Sequence, residues 1–201
     1  MPFRMRDLPP VILASASPRR AQLLRQLGLE FKVVPSQAPE IHSAQLTALE
    51  ISRINAWRKA RSVANRHPNA LVLGADTLVF LEAALYGKPP DLEAARRMLE
   101  ELQGRAHHVV TAVCLLHLAG RRRRVFAETT AVTFRPLDAL AIRRYLAKVN
   151  PLDKAGAYAI QEEGRLIIEK ISGSFSNVVG LPVERLEREL TRWSAEALNL
   201  S

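Results

Sequence analysis

With 201 residues, 48% of them hydrophobic, the chain can fill a core of its own and falls outside the disordered class. It carries 29 Lys and Arg against 20 Asp and Glu, a net charge of +9. That balance favours an anionic partner (a nucleotide, a nucleic acid or an acidic membrane surface) without choosing among them.

In chain order, the apolar run Val11 to Ala14 after Pro9-Pro10 reads as a buried strand. Ser17 suits an N-cap and Pro18 the first helical position, Leu23, Leu24 and Leu27 form a stripe, and Gly28 stops the helix. Phe31 to Val34 is a second strand and Pro35 to Ser43 a loop. Ala44 to Arg66 has helical spacing through Leu46, Leu49, Ile54, Trp57 and Ala60. Ala70 to Phe80 is a strong strand, interrupted by Gly74-Ala75-Asp76-Thr77. A short strand and turn follow in "EAALYGKPPD", and Asp91 starts a helix over Leu92 to Leu102. The pattern then switches to period two. "HVVTAVCLLHLA" and "VFAETTAVTFRPL" are long strands joined by a hairpin turn over Gly120 to Arg124. Cys114, the single cysteine, excludes an intrachain disulfide and a multi-cysteine metal site, and inside "TAVCLL" it reads as a buried thiol. Asp138 caps a helix through Val149, a strand covers Leu166 to Ile171, and Pro182 opens a last helix to about Leu198. Long strands mixed with helices, without repeat or linker, predict one α/β or α+β domain over residues 1–201 with a cleft. No apolar run reaches the roughly 18 residues of a membrane span. "MPFRMRDLPP" lacks the apolar segment of a secretory signal, so a cytoplasmic protein without a membrane partner is expected.

Polar islands that break apolar strands or precede helices are the candidates for chemistry. Ser15-Ala16-Ser17-Pro18-Arg19-Arg20 lies at a strand-to-helix junction, where free N–H groups and two guanidinium groups suit an oxyanion; a capped helix with solvated arginines is the plainer reading. Asp76 inside "LVLGADTLVF" needs a cleft, a cation or a partner, because an unpaired buried charge is costly. It is a candidate metal ligand or general base, or the structural partner of Arg19 or Arg20. Lys88 and Lys154 suit phosphate neutralisation, and Gln161 carries a donor and an acceptor for a base edge. Glu40 is a loop carboxylate that could join a metal site. His107-His108 has no third histidine or cysteine nearby and is not expected to bind metal. Arg121 to Arg124 reads as a solvated hairpin tip in preference to a nucleic-acid contact. "GSFSN", residues 173–177, reads as a phosphate-facing loop or a plain turn.

Taken in order, "LASASPRRAQLLRQLG", "GADTLV", "GKP", "HHVVTAV", "ETTAVTF", "DKAGAYAIQ" and "GSFSNVVGLP" resemble the Maf proteins, nucleoside triphosphate pyrophosphatases, from about Ile12 to Leu190. The resemblance implies an inosine-triphosphatase-like fold: a long, twisted mixed sheet flanked by helices, with two lobes around a deep cleft. It implies hydrolysis of a nucleoside triphosphate to the monophosphate and pyrophosphate, a divalent cation (Mg²⁺ or Mn²⁺) and a homodimer. Asp76 falls on the family's proton acceptor. Arg19, Thr77 and Gln161 together resemble the subfamily acting on dTTP and UTP; a sister subfamily prefers 7-methyl-GTP and has a different motif in place of "DKAGAYAIQ". Glu40, Lys59, Lys88 and Lys154 fall on positions of metal or phosphate contact, Asp76 and Glu40 being the metal pair. Ser15, Ser17 and Arg20 complete the substrate-binding set. Two places depart from the family pattern: Pro39 stands where a second acidic residue usually precedes Glu40, and Glu162-Glu163 follows Gln161 where glycine is common. The rival expectations are the same chemistry on another base, a nucleic-acid-binding protein and a cell-division regulator.

Overall fold

The computed structural model describes residues 8–198. The segment before Leu8, read as free of a signal-type apolar stretch, lies outside them, as do residues 199–201. Seven strands form one mixed sheet in the order β2-β1-β3-β5-β6-β7, with β4 added to the free part of β3. β1 (Val11–Leu13) pairs in parallel with β2 (Phe31–Val33) and with β3 (Leu71–Leu81). From β3 onward the pairings with β5 (Ala106–His117), then β6 (Arg122–Phe134), then β7 (Ile168–Ser172) are antiparallel.

Period two along β3 sorts the two faces. Leu71, Leu73 and Ala75 pack with Leu23 and Leu24 of α1 (Pro18–Gln26) and with Leu186, Leu190 and Trp193 of α6 (Val183–Leu198). Val72 on the other face packs with Ala56, Ala60 and Val63 of α2 (Ala48–Ala64). Farther along, Val79, Val109, Val132 and Phe134 form a second core with Leu99 and Leu102 of α3 (Leu92–Leu102) and Ile142 and Tyr145 of α4 (Ala139–Leu146). Each large aliphatic side chain fully buried here contributes roughly 1.5–3 kcal/mol. Cys114 is wholly buried, and burial pushes its thiol up to about 12.

Local signals set several boundaries. Ser17 Oγ accepts from Arg20 N at 3.4 Å, Pro18 is the first residue of α1, and Gly28 has φ +66°. α2 starts at Ala48, later than the Ala44 expected, because Thr47 and Glu50 close a reciprocal capping box: Thr47 N donates to Glu50 Oε2 at 2.8 Å and Glu50 N to Thr47 Oγ1 at 3.3 Å. α4 ends at Leu146, before the expected Val149. β3 runs unbroken through Gly74 to Thr77, where an interruption was expected, because β5 pairs with it from Val72 to Phe80. The hairpin turn is also tighter than expected: Arg122, Arg123 and Arg124 belong to β6, opposite His117, Leu116 and Leu115. The expected strand from Leu166 starts at Ile168, since Gly164–Leu166 forms a 3-10 turn after Glu163 at φ +53°. The stretch read as a loop or turn after Gly173 forms α5 (Phe175–Val179), capped by Ser174.

Candidate active site

The site exists because β3 is longer than either neighbour on one edge. β1 covers that edge only as far as Leu73, where Ala14 N donates to Leu73 O at 2.8 Å. β4 (Ala84–Tyr86) takes it up again at Val79. Between them the edge opens onto a cleft of about 650 Å³ lined by Asp76, Thr77 and Leu78. Such a crevice beside the carboxyl ends of parallel strands is the usual ligand position in open α/β sheets.

Asp76 and Thr77 are neighbours in sequence, so the pleat sends them to opposite faces. Asp76 points toward α2. Gly74, two residues earlier on that face, lets α2 come close: a Cβ there would stand 2.4 Å from Ala56 O and 2.6 Å from Ala60 N. Asn55 and Lys59, one helical turn apart beside those alanines, therefore reach the strand. Lys59 Nζ donates to Asp76 Oδ1 at 2.6 Å and to Glu40 Oε1 at 2.5 Å, and Asn55 Nδ2 donates to Asp76 Oδ2 at 3.3 Å. Asp76 is buried, with 3% of its surface exposed. Its cationic partner is thus Lys59, not the Arg19 or Arg20 of the structural reading. Burial pushes Glu40 up, but the Lys59 hydrogen bond and the charges of Lys59, Lys88 and Arg20 together hold its carboxyl below the usual carboxylate range.

Thr77 faces α1 and α5. Arg20 donates from NH2 to Thr77 Oγ1 at 2.9 Å, from NH1 to Ser15 Oγ at 3.2 Å and from Nε to Gly180 O at 2.8 Å. Burial pulls this guanidinium below its usual value, with the charges of Asp76 and Glu40 opposing. Ser15 Oγ also accepts from Ser17 N at 3.2 Å, so the two serines shape the turn that presents the arginines. Thr111 Oγ1, opposite Thr77 in β5, lies 2.9 Å from Thr77 Oγ1 and donates to Asn177 O. Arg20 thus sits at the α1 N-terminus against the helix dipole with carbonyl and hydroxyl partners that offset it.

The remaining candidates stand around the mouth. Arg19 NH1 meets Asp153 Oδ2 at 3.2 Å. Lys154 is nearly buried; its Nζ donates to Asn150 O at 2.6 Å and to Asp153 Oδ1 at 2.8 Å. Lys88 and Gln161 line the cleft and are exposed to it. All eleven sequence-derived site residues, Ser15, Ser17, Arg19, Arg20, Glu40, Lys59, Asp76, Thr77, Lys88, Lys154 and Gln161, therefore border one cavity. Sequence reasoning passed over Asn55 and Asp153. Asn55 had a signal, a polar residue on the apolar stripe of α2; Asp153 opens the motif "DKAGAYAIQ", but its link to Arg19, 134 residues away, shows only in the folded chain.

His107 lies away from the cleft surface, wholly buried, with Nε2 2.9 Å from the Tyr158 hydroxyl. Burial lowers its pKa to about 4. It packs edge-on against Phe134 and Tyr158, so it serves the core behind the Tyr158 wall of the cleft.

Glu40 and Asp76 share one ammonium, which marks a place where two carboxylates converge on positive charge. Among the described residues no cluster of three or more His, Cys, Asp or Glu could hold a metal by itself. Two carboxylates completed by phosphate oxygens is nevertheless the common way to bind Mg²⁺ at nucleotide sites, so the donor set fits a divalent cation that arrives with substrate.

A mixed sheet with helices on both faces and a charged crevice at the end of its parallel strands defines an α/β protein of the class that includes the Ham1 protein of Staphylococcus aureus. That structure superposes with a TM-score of 0.53 over 90% of this chain and 97% of its own, at 17% identity. A family model described as Maf-like protein matches residues 10–193, and the chain belongs to the Maf family. The dTTP/UTP pyrophosphatase of Akkermansia muciniphila is 47% identical, the match covering 88% of this chain and 92% of that protein. The dTTP/UTP pyrophosphatase of Pelotomaculum thermopropionicum is 43% identical, covering 94% and 98%. A protein of the same name in Salinibacter ruber is 44% identical, covering 96% and 95%.

Proposed function

We propose that this chain is a nucleoside triphosphate pyrophosphatase that hydrolyses dTTP and UTP to the monophosphate and pyrophosphate. The observation that carries the reading is a buried Asp76 at the open edge of β3, held by Lys59 and Asn55 and facing a cleft ringed by Arg19, Arg20, Lys88 and Lys154. The names of the relatives supply the nucleotides.

Release of pyrophosphate requires attack at the α-phosphorus. Asp76 orients a water toward that atom and takes its proton; the hydrogen bonds from Lys59 and Asn55 fix which way the carboxylate faces. Arg19, Arg20, Lys88 and Lys154 bind the β- and γ-phosphates and meet the charge that builds on the leaving pyrophosphate. Arginine does this with a planar fork and lysine with a point charge. Glu40 and Asp76 would hold Mg²⁺ or Mn²⁺, which neutralises phosphate charge and polarises the phosphoryl oxygens when bound. Five cationic side chains line the cleft against the carboxylates of Glu40, Asp76 and Asp153, so little positive charge is spare for a polyanion, and a divalent cation held by Glu40 and Asp76 would add to it. Gln161, which lines the same cleft as Thr77 and Arg19, reads the pyrimidine edge through its amide, while Ser15 and Ser17 set the turn. The resemblance extends the proposal to one domain over the whole chain, a homodimer and a cytoplasmic setting.

A panel of nucleoside triphosphates with Mg²⁺ or Mn²⁺, following pyrophosphate and monophosphate, tests the reading. Preference for dTTP and UTP with pyrophosphate release is expected. Release of orthophosphate overturns the bond assignment, and preference for a purine overturns the Arg19–Thr77–Gln161 reading. Size-exclusion chromatography with light scattering tests the dimer.

A further inference from the structure

The departure from the family pattern at Glu162 has a structural consequence. Glu162 Oε2 lies 3.1 Å from Lys154 Nζ and Glu162 Oε1 lies 3.6 Å from Arg19 NH1. Asp153 contacts the same two cations at 2.8 and 3.2 Å. Two carboxylates of the segment 150–163 thus converge on the two cations that the reading above gives to substrate phosphate. Arg19 comes from α1, so these pairs cross the cleft mouth from one wall to the other.

The cations and the anions are held very differently. The Lys154 side chain is 4% exposed and also donates to Asn150 O; an ammonium so far from water needs anionic company at all times. The Asp153 and Glu162 side chains are 51% and 43% exposed. Their exposure lets them turn out into water once phosphate oxygens take their place on the two cations. A buried Lys154 and a partly exposed Arg19, both held by exposed and removable anions, make an exchange site, and the oxygens of a polyphosphate can take the arginine fork in the bidentate way a carboxylate does. Asp153 by itself already reaches both cations at the shorter distances, so Glu162 is not required to hold them in place.

We propose that Asp153 and Glu162 are anionic placeholders for substrate phosphate. They keep Arg19 and Lys154 paired and positioned while no nucleotide is bound, and they give both up when a triphosphate enters. Glu162, the redundant member, then acts as a positioning residue that competes with substrate and lowers its affinity. The inference rests on the triphosphate reading of the cleft.

Calorimetry with inorganic tripolyphosphate and with uridine, on wild type and Glu162→Gln, tests this. Tripolyphosphate is expected to bind about two- to fivefold more tightly to the variant, the range that one exposed ion pair supports. Uridine, which lacks phosphate, is expected to bind equally to both. KM for UTP should fall in the same direction, and Glu162→Ala should repeat the result. Unchanged or weaker tripolyphosphate binding overturns the proposal, and so does a parallel shift with uridine, which signals a loosened wall instead of a lost competitor. Failure of wild type to hydrolyse dTTP or UTP sinks the substrate reading and leaves the tripolyphosphate comparison to decide the placeholders.

Discussion

Two clusters of arginine meet opposite fates in this molecule. Arg19 and Arg20 open α1 and face the cleft, where Arg19 is held by exposed loop carboxylates. Arg122 and Arg124 lie on β6 and clamp α6. Arg122 stacks 4.2 Å from the Trp193 ring and donates to Trp193 O at 2.6 Å, while Arg124 meets Glu189 at 3.0 Å and also Glu196. Trp193 and Glu189 are almost fully buried. The same residue type is therefore left for a ligand where its partners are exposed and is spent on the fold where they are packed. Nothing in either run of sequence states which partner waits.

Substitutions in the two clusters should have opposite consequences for turnover and for stability. The largest effect belongs to the centre that the cleft arginines serve. Asp76→Asn is expected to lower kcat by at least about a hundredfold, roughly 2.7 kcal/mol, with the Tm close to wild type. Near-normal turnover would detach the cleft cluster from catalysis. Arg124→Ala is expected to cost about 2 kcal/mol in denaturant unfolding, since Glu189 loses a charged hydrogen-bond partner, with kcat intact. Loss of turnover without loss of stability would reverse the roles of the two clusters. Arg19→Ala should do the opposite of Arg124→Ala: about tenfold in kcat/KM, roughly 1.4 kcal/mol, and little change in Tm. A large fall in Tm with intact kinetics would make Arg19 a structural residue. The smallest effect is expected at Arg123, exposed on β6 between the two clamping residues; Arg123→Ala should stay within about 0.5 kcal/mol and leave kinetics alone.

Acid offers a further probe of the α6 clamp. Burial works against charge on Glu189, but the hydrogen bonds and charges of Arg185 and Arg124 outweigh it and hold the carboxyl below its usual range. A carboxylate lowered by folding adds stability that is fully present above its unfolded value of about 4.3 and is lost as pH falls through the folded one. Glu189→Gln should therefore flatten the loss of stability below about pH 4 that the wild type shows in pH-resolved melts. An unchanged profile would remove Glu189 from the clamp's titration.

Local chemistry was the legible part of the fold. Ser17, Pro18 and Gly28 bound α1, and Asp91 and Asp138 cap α3 and α4, because each signal acts within a turn of its own residue. The errors came where longer contacts overrode local pattern. The glycine, aspartate and threonine that looked like a break in β3 are held in line by nine register partners on β5. The run "RRRR" looked like a loop, yet alternate arginines are drawn onto α6 by Trp193 and two glutamates. Within the site, the eleven candidate residues could be named from motifs, whereas the roles of Asn55 and Asp153 could not, since Asp76 and Arg19, which they meet, lie many positions away.

By itself the sequence determined the α/β character, the strand-turn-helix that presents Arg19 and Arg20, and the presence of a carboxylate where β3 should be apolar. These follow from periodicity, caps and the cost of burying charge. Tertiary structure alone decided that Asp76 answers to Lys59 and not to an arginine. It decided that Thr77 faces the other side of the sheet, and that Glu162 and Asp153 cross the mouth to Arg19. The physical reason is the sheet order. β3 outruns β1, Gly74 lets α2 close on it, and distant segments meet only once that edge is left open.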